Sequence, residues 1–235
     1  MNAYRASDGS HLWSSDASYG GPLILHHDRI ISDRYAFSLL NGQRLNRLDP
    51  ITGEEQPWAF HRQYGCNYAI ASEYLMTFRS AAAGFFNLEN DGGTGNFGGF
   101  KSGCTSNLIA ADGVLNAPDY TRTCSCSYQN QTSLAMVHMP ELDYWVTYTG
   151  GIGAGTIREL GVNFGAPGHR RDQEDRLWIA VPNVPYLSSS NKDTGLSDQV
   201  AVKTQGGRPF TRHPFNLPDE YAENWILASG LEGVE

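Results

Sequence analysis

The sequence predicts an all-β chain assembled from repeats of short antiparallel hairpins, and three observations predict it. First, charged residues are only 18% of the chain, while glycine supplies 26 and tyrosine 12 of its 235 residues. Tight turns and strands use that mixture; long helices need the opposite one. Second, one hairpin pattern occurs three times, at Leu25–Ile31, Ile70–Met76 and Ile109–Leu115. Third, a turn glycine followed by a tryptophan recurs with the same spacing as the first two hairpins.

Taken along the chain, Asp8-Gly9 precedes Trp13, and the glycine supplies the positive φ of a hairpin turn. Leu25-His26-His27-Asp28-Arg29-Ile30-Ile31 then has an apolar start, an acid with its neighbour at the bend, and an apolar exit. Tyr35-Ala36-Phe37 leading to Asn41-Gly42 is a further strand and turn. Thr52-Gly53 precedes Trp58 as Gly9 precedes Trp13, and the two tryptophans are 45 residues apart. The indole of each is expected to dock between adjacent sheets. Ile70-Ala71-Ser72-Glu73-Tyr74-Leu75-Met76 and Ile109-Ala110-Ala111-Asp112-Gly113-Val114-Leu115 repeat the first hairpin at offsets of 45 and 39 residues.

Helical solenoids of similar period require apolar residues at 3.6-residue spacing over ten or more positions. These units show short apolar pairs broken by turn residues instead. Four-stranded β-propeller blades of about 40–45 residues fit the period and the pattern.

The same residues resemble the PQQ-like (quinoprotein alcohol dehydrogenase-like) repeat family, whose blade runs apolar-Ala-x-Asp-x-x-Thr-Gly-x-x-x-Trp. Ala3 to Trp13 and Leu48-Asp49-Pro50-Ile51-Thr52-Gly53 to Trp58 match it loosely. The chain is also similar to a planctomycete-type subgroup of large bacterial propeller proteins through several stretches: Gly65-Cys66 to Phe78-Arg79-Ser80, 98–104, 116–126, 160–168 and 225–230. The resemblance implies blades set around a central channel, six to eight in the family. Residues 1–169 hold about three to four of them, and 170–235 form a small, incomplete C-terminal β-rich region. On this reading the chain is the C-terminal part of a longer exported protein, periplasmic or extracellular, and its first partners are the missing N-terminal blades.

The resemblance describes the blade and carries no activity with it. A PQQ-dependent dehydrogenase needs a calcium held by carboxylate and amide oxygens, an aspartate base and usually an adjacent cysteine pair. This sequence has no adjacent cysteines, and Cys124-x-Cys126 is not equivalent. PQQ and Ca²⁺ therefore lack motif support. Asn87-Leu88-Glu89-Asn90-Asp91-Gly92-Gly93 sets oxygen ligands at short spacing but lacks the EF-hand frame; it reads as a solvated loop, with a structural calcium as the alternative. No H-x-H or H-x-x-x-H pair aims two of the seven histidines at one metal, and His26-His27 in a hairpin are expected on opposite faces. Gly150-Gly151-Ile152-Gly153-Ala154-Gly155 fails the dinucleotide frame at Thr156 and reads as a glycine-rich turn.

Cys66, Cys104, Cys124 and Cys126 read as one or two disulfides, with buried thiols as the alternative. Cys66 with Cys104 would staple neighbouring repeats, and Cys124 with Cys126 would close a tight local bridge. A net charge of −8 and the lack of any Lys/Arg run argue against nucleic acid. Apolar runs stay well short of the ~20 residues of a membrane span. Arg79, Asp119, Tyr120 and Arg122 are the candidate ligand-binding set, suited to a carbohydrate or a small anion; a structural Arg–Asp network is their alternative role. The function expected is a non-catalytic binding or scaffold module. The alternatives are a PQQ-dependent oxidoreductase with catalytic parts upstream and a carbohydrate-binding protein.

Overall fold

The computed structural model describes residues 1–97, 100, 108–118, 133–139, 145–147, 156–181, 203, 205–212, 217 and 224–233. These residues form an all-β protein of small, mostly antiparallel sheets. They divide into two compact units. The first comprises Met1–Leu48, Glu55–Glu89 and Phe97–Val137; the second comprises Asp49–Glu54, Asn90–Asn96 and His138–Glu235.

The first unit opens with the hairpin of β1 (Asn2–Tyr4) and β2 (His11–Ser14). Then come β3 (Ile24–His26), β4 (Arg29–Ser32) and β5 (Tyr35–Ser38), an antiparallel meander in the order β3-β4-β5. A second hairpin follows, β6 (Asn46–Leu48) with β7 (Glu55–Pro57). The next meander is β8 (Ile70–Ala71), β9 (Leu75–Ser80) and β10 (Ala82–Asn87). After β11 (Thr94–Asn96), which belongs to the second unit, a third meander is made by β12 (Ile109–Ala111), β13 (Val114–Ala117) and β14 (Leu134–Val137).

All three hairpin motifs expected from the sequence open one of these meanders. Leu25 pairs with Ile30, Ile70 with Thr77, and Ile109 with Asn116. The bends fall at His27-Asp28, Glu73-Tyr74 and Asp112-Gly113. Asp112 (φ 51) and Gly113 (φ 76) both take positive φ, as a type I′ turn demands. In the first two meanders a fourth segment joins the third strand: Leu45 N–H donates to Ala36 O, and Phe97 N–H donates to Ala83 O. The first strand of the second meander, β8, lies against both β3 and β12. Side chains tie the meanders together as well. His26 Nε2 is 2.6 Å from Glu73 O, and Thr77 Oγ1 donates to Leu108 O at 2.7 Å.

The glycine turns share one geometry. In Arg5–Ser10, Ser38–Gln43 and Asp49–Glu54 the first N–H donates to the sixth carbonyl, and the glycine N–H donates back to the first. That geometry places Gly9, Gly42 and Gly53 at φ near 70°, where a Cβ is strained. Asp49 reinforces its turn, its Oδ1 accepting from Ile51 and Thr52 N–H at 2.9 Å each. The tryptophans differ in depth. Trp13 lies flat against Gly42, with Nε1 donating to Leu39 O at 3.2 Å. Trp58 is buried with Ile31, Ala36, Phe60, Met76, Phe78 and Phe86, between the first and second meanders.

One turn carries a residue ill suited to it. The β9–β10 hairpin bends at Ala81, an exposed alanine at φ 60, where an L-residue's Cβ crowds the carbonyl oxygen at a cost of about 1–2 kcal/mol. Glycine removes that crowding and returns part of the gain as unfolded-chain entropy. Ala81→Gly is expected to stabilise the first unit by about 0.5–1 kcal/mol in a denaturant melt.

In the second unit β11 pairs antiparallel with β15 (Val146–Thr147). Next come β16 (Gly161–Phe164), β17 (Arg170–Arg171) and β18 (Leu177–Val181), with β16 parallel and β17 antiparallel to β18. β19 (Arg208–Thr211) pairs with β20 (Ser229–Glu232), preceded by the single-turn helix α1 (Asn224–Leu227). Ile51, Leu177, Ile179 and Val181 form this unit's apolar core. No described helix is long and apolar enough to cross a membrane.

Candidate functional site

The first unit contains an open cleft of about 440 Å³, within the roughly 300–1,000 Å³ range of small-molecule sites. Three stretches line it: Ser18 to Ile24, Ile31 to Tyr35, and Phe60 to Ala69. Ile24, Ile31, Phe60 and Ala69 supply apolar surface. The floor exists because the alternating strands β3 and β4 turn one isoleucine each toward the Phe60 cluster.

The polar rim is built on the β4–β5 turn. Ser32 pairs with Tyr35, so Asp33 and Arg34 are a two-residue bend. Asp33 adopts φ 47, a conformation aspartate tolerates better than most residues. Its Oδ2 accepts from Gly20 N–H at 2.7 Å, which clamps the loop before β3 to the rim. Arg34 is exposed beside it, and Phe60 N–H donates to the Arg34 carbonyl at 3.0 Å. Arg62 is half-buried, and its Nη1 donates to Asn67 O at 2.8 Å. Burial pulls the Arg62 guanidinium below its ordinary range and the Asp33 charge raises it, while Arg34 pushes it down again. The three charges thus sense one another across a single opening.

Two phenol rings complete the rim. The Arg44 guanidinium lies 3.6 Å from the Tyr35 ring centroid, a cation–π contact that fixes the ring. Tyr68 rests on Gly21 so closely that a Cβ there would come within 2.2 Å of the ring. Both tyrosines remain substantially exposed, at 40% and 52%.

Of the sequence-predicted set, Arg79 alone lies among the described residues. Arg79 is 2% exposed on β9, its backbone N–H donating to Asn67 Oδ1 at 2.9 Å, and it does not line the cleft. Asp119, Tyr120 and Arg122 lie outside the described residues, as do Cys104, Cys124, Cys126 and the Gly150–Gly155 turn. Cys66, one half of the expected Cys66–Cys104 staple, is a free, exposed thiol on a short loop, with Sγ 3.4 Å from Tyr64 Oη.

The histidine pair also departs from expectation. His27 takes φ 53 at the bend, so strand alternation ends there, and its ring meets that of His26 edge to face at 4.4 Å. Arg29 Nε donates to His26 Nδ1 at 3.3 Å, so Nε2 carries the proton shared with Glu73 O. Both His26 nitrogens are thereby occupied. Among the described residues, no three His, Cys, Asp or Glu side chains gather in a way that would hold a metal ion.

No family model, curated protein or solved structure matches this chain. The chemistry of the site therefore rests on its own residues. Of these, Asp33-Arg34 had a local signal, a charged pair between two apolar strands; Arg62 and Tyr68 had none, because strand pairing brings them in from 27 or more positions away.

Proposed function

We propose that this chain is a non-catalytic binding module, made of blades of a partial β-propeller of the PQQ-like repeat class and belonging to an exported bacterial protein. The observation that carries the binding role is the cleft beside Asp33, Arg34 and Arg62, with its apolar floor and charged rim. Among the described residues, its lining includes no histidine, cysteine or lysine. Asp33 is the one carboxylate of the described lining and its Oδ2 is held by Gly20 N–H, so these residues offer no acid–base pair. Such a site holds a molecule in place and leaves its bonds intact.

The propeller reading draws support from three features: the repeated meander, the fourth segment hydrogen-bonded to two third strands, and the first strands β3, β8 and β12 lying side by side. Blades of a propeller present their inner strands to one another in this way. The export reading is supported by the low charge and high glycine content.

The test is a titration of the ¹⁵N-labelled chain with neutral sugars, sugar acids, sugar phosphates and amino acids. At least one probe is expected to shift the amides of Gly20, Gly21, Asp33, Arg34 and Tyr68 saturably and to be recovered unchanged. Ser18→Trp, which fills the cleft from an exposed lining position, should abolish those shifts without altering the melting temperature. Absence of any saturable shift across the panel, or turnover of a probe, defeats the reading.

A further inference from the structure

The chemistry of the rim narrows the ligand further, on the premise that the cleft is a binding site. We infer that it takes a hexuronate: a pyranose bearing one carboxylate, either free or at the end of an acidic polysaccharide.

The first argument is charge. Arg34 and Arg62 are cations and Asp33 is an anion, so the lining carries one excess positive charge. A monoanion neutralises it. A phosphate monoester carries about −1.5 to −2 at neutral pH, leaves the site negative and meets Asp33 as a repulsive neighbour. A neutral sugar leaves the excess guanidinium charge uncompensated. Carboxylate geometry also suits the arginine fork, which donates two parallel N–H bonds to two oxygens. Arg62 spends one donor on Asn67 O and is held in place by that bond, with its remaining N–H groups left for the cleft.

The second argument is the acceptor. Asp33 Oδ2 is committed to Gly20 N–H, which fixes the carboxylate and leaves Oδ1 as an acceptor at the rim. An acceptor beside two guanidiniums suits a ligand that pairs hydroxyl donors with a carboxylate. A simple fatty acid has no donor for it.

The third argument is surface. Tyr35 and Tyr68 offer ring faces, which carry the negative end of the aromatic quadrupole, and a pyranose presents faces of weakly positive C–H groups. Ile24, Ile31, Phe60 and Ala69 accept the rest of the apolar side of the sugar. Both rings are held before any ligand arrives, Tyr35 by Arg44 and Tyr68 by Gly21, so little ordering accompanies binding.

Calorimetric titration of the full chain tests this with D-glucuronate, D-galacturonate and a galacturonate oligomer. The controls are D-glucose, methyl glucuronate ester, glucose 6-phosphate and acetate. Hexuronate is expected to bind saturably, and the ester and glucose at least tenfold more weakly. Arg34→Gln, an exposed change, should weaken hexuronate binding at least tenfold with unchanged melting, and Tyr68→Ala should weaken it about as much. Equal affinity for the free acid and the oligomer points to the free sugar; tighter oligomer binding points to the polysaccharide end. Equal binding of acid and ester, tighter binding of glucose 6-phosphate, or acetate matching hexuronate each overturns the hexuronate assignment while the cleft stands as a binding site. If no probe here or in the wider panel binds, the cleft itself fails as a site.

Discussion

Acidification from pH 7.5 to 4 is expected to strip roughly 3 kcal/mol from the stability of the second unit through a single histidine. His169 is 4% exposed, its backbone exchanges two 2.9 Å bonds with Val146, and its Nδ1 accepts from Ala180 N–H at 3.1 Å. Burial pushes its pKa from 6.5 down to about 4, because the charged imidazolium is disfavoured away from water. The neutral ring is thus the folded form. Above pH 6.5 both folded and unfolded chains hold it neutral, and its full contribution is present. As pH falls from 6.5 towards 4, the unfolded chain takes up the proton first, and stability drains away. Below about 4 this group adds no further slope. The interval, at about 1.4 kcal/mol per pH unit, gives roughly 3 kcal/mol.

Urea unfolding followed through Trp145, Trp178 and Trp225, with Trp13 and Trp58 replaced by phenylalanine, measures this directly. His169→Asn keeps an acceptor near the Nδ1 position and removes the titration, so the loss between pH 6.5 and 4 should shrink by about that amount. Every other ionisable group is common to the two proteins and cancels in the comparison. An unchanged slope in His169→Asn would assign the acid sensitivity to other groups.

Which parts of this fold could be read from the sequence follows from how local each signal is. The hairpins at Leu25, Ile70 and Ile109 were legible because an apolar pair, a bend and a second apolar pair lie within seven residues. The turn glycines Gly9, Gly42 and Gly53 were legible for the same reason. Strand β9 was not. Its run Met76-Thr77-Phe78-Arg79-Ser80 alternates apolar and polar side chains, as a half-exposed strand does, yet all five residues are buried. A central strand covered on both faces must satisfy its polar groups internally, as Thr77 does on Leu108 O. Arg79, which the same alternation would leave exposed, is interior for that reason. The cleft was hidden by separation: Ile24, Asp33, Arg62 and Tyr68 meet only after β3, β4 and β8 are in register. The parallel pairing of β16 with β18 likewise leaves no local mark.

The other large effect concerns the tryptophans, which the sequence presents as equivalent. Both follow a turn glycine by four or five residues, and they stand one repeat apart. Their surroundings are unequal. Trp58 is 2% exposed, with ring contacts to Phe60 at 6.2 Å and Phe86 at 5.7 Å, and its backbone N–H donates to Leu45 O. Its indole fills the space between the β3-β4-β5 and β8-β9-β10 meanders, so truncation opens a cavity that neither sheet can close without breaking register. Trp58→Ala is expected to cost about 3–5 kcal/mol, a large share of the total for a domain of this size. Trp13 is only half-buried, stacked on Gly42 at the end of a two-stranded hairpin, and Trp13→Ala should cost about 1–2 kcal/mol. Denaturant melts of the two variants beside the parent read the difference. Equal losses would mean that the interface between the meanders contributes no more than a surface contact, and that the repeat is a chain of independent hairpins with no shared core. The larger loss in Trp58→Ala places the energy of the first unit where its meanders meet, which is what stacked sheets that cannot bury their faces alone require.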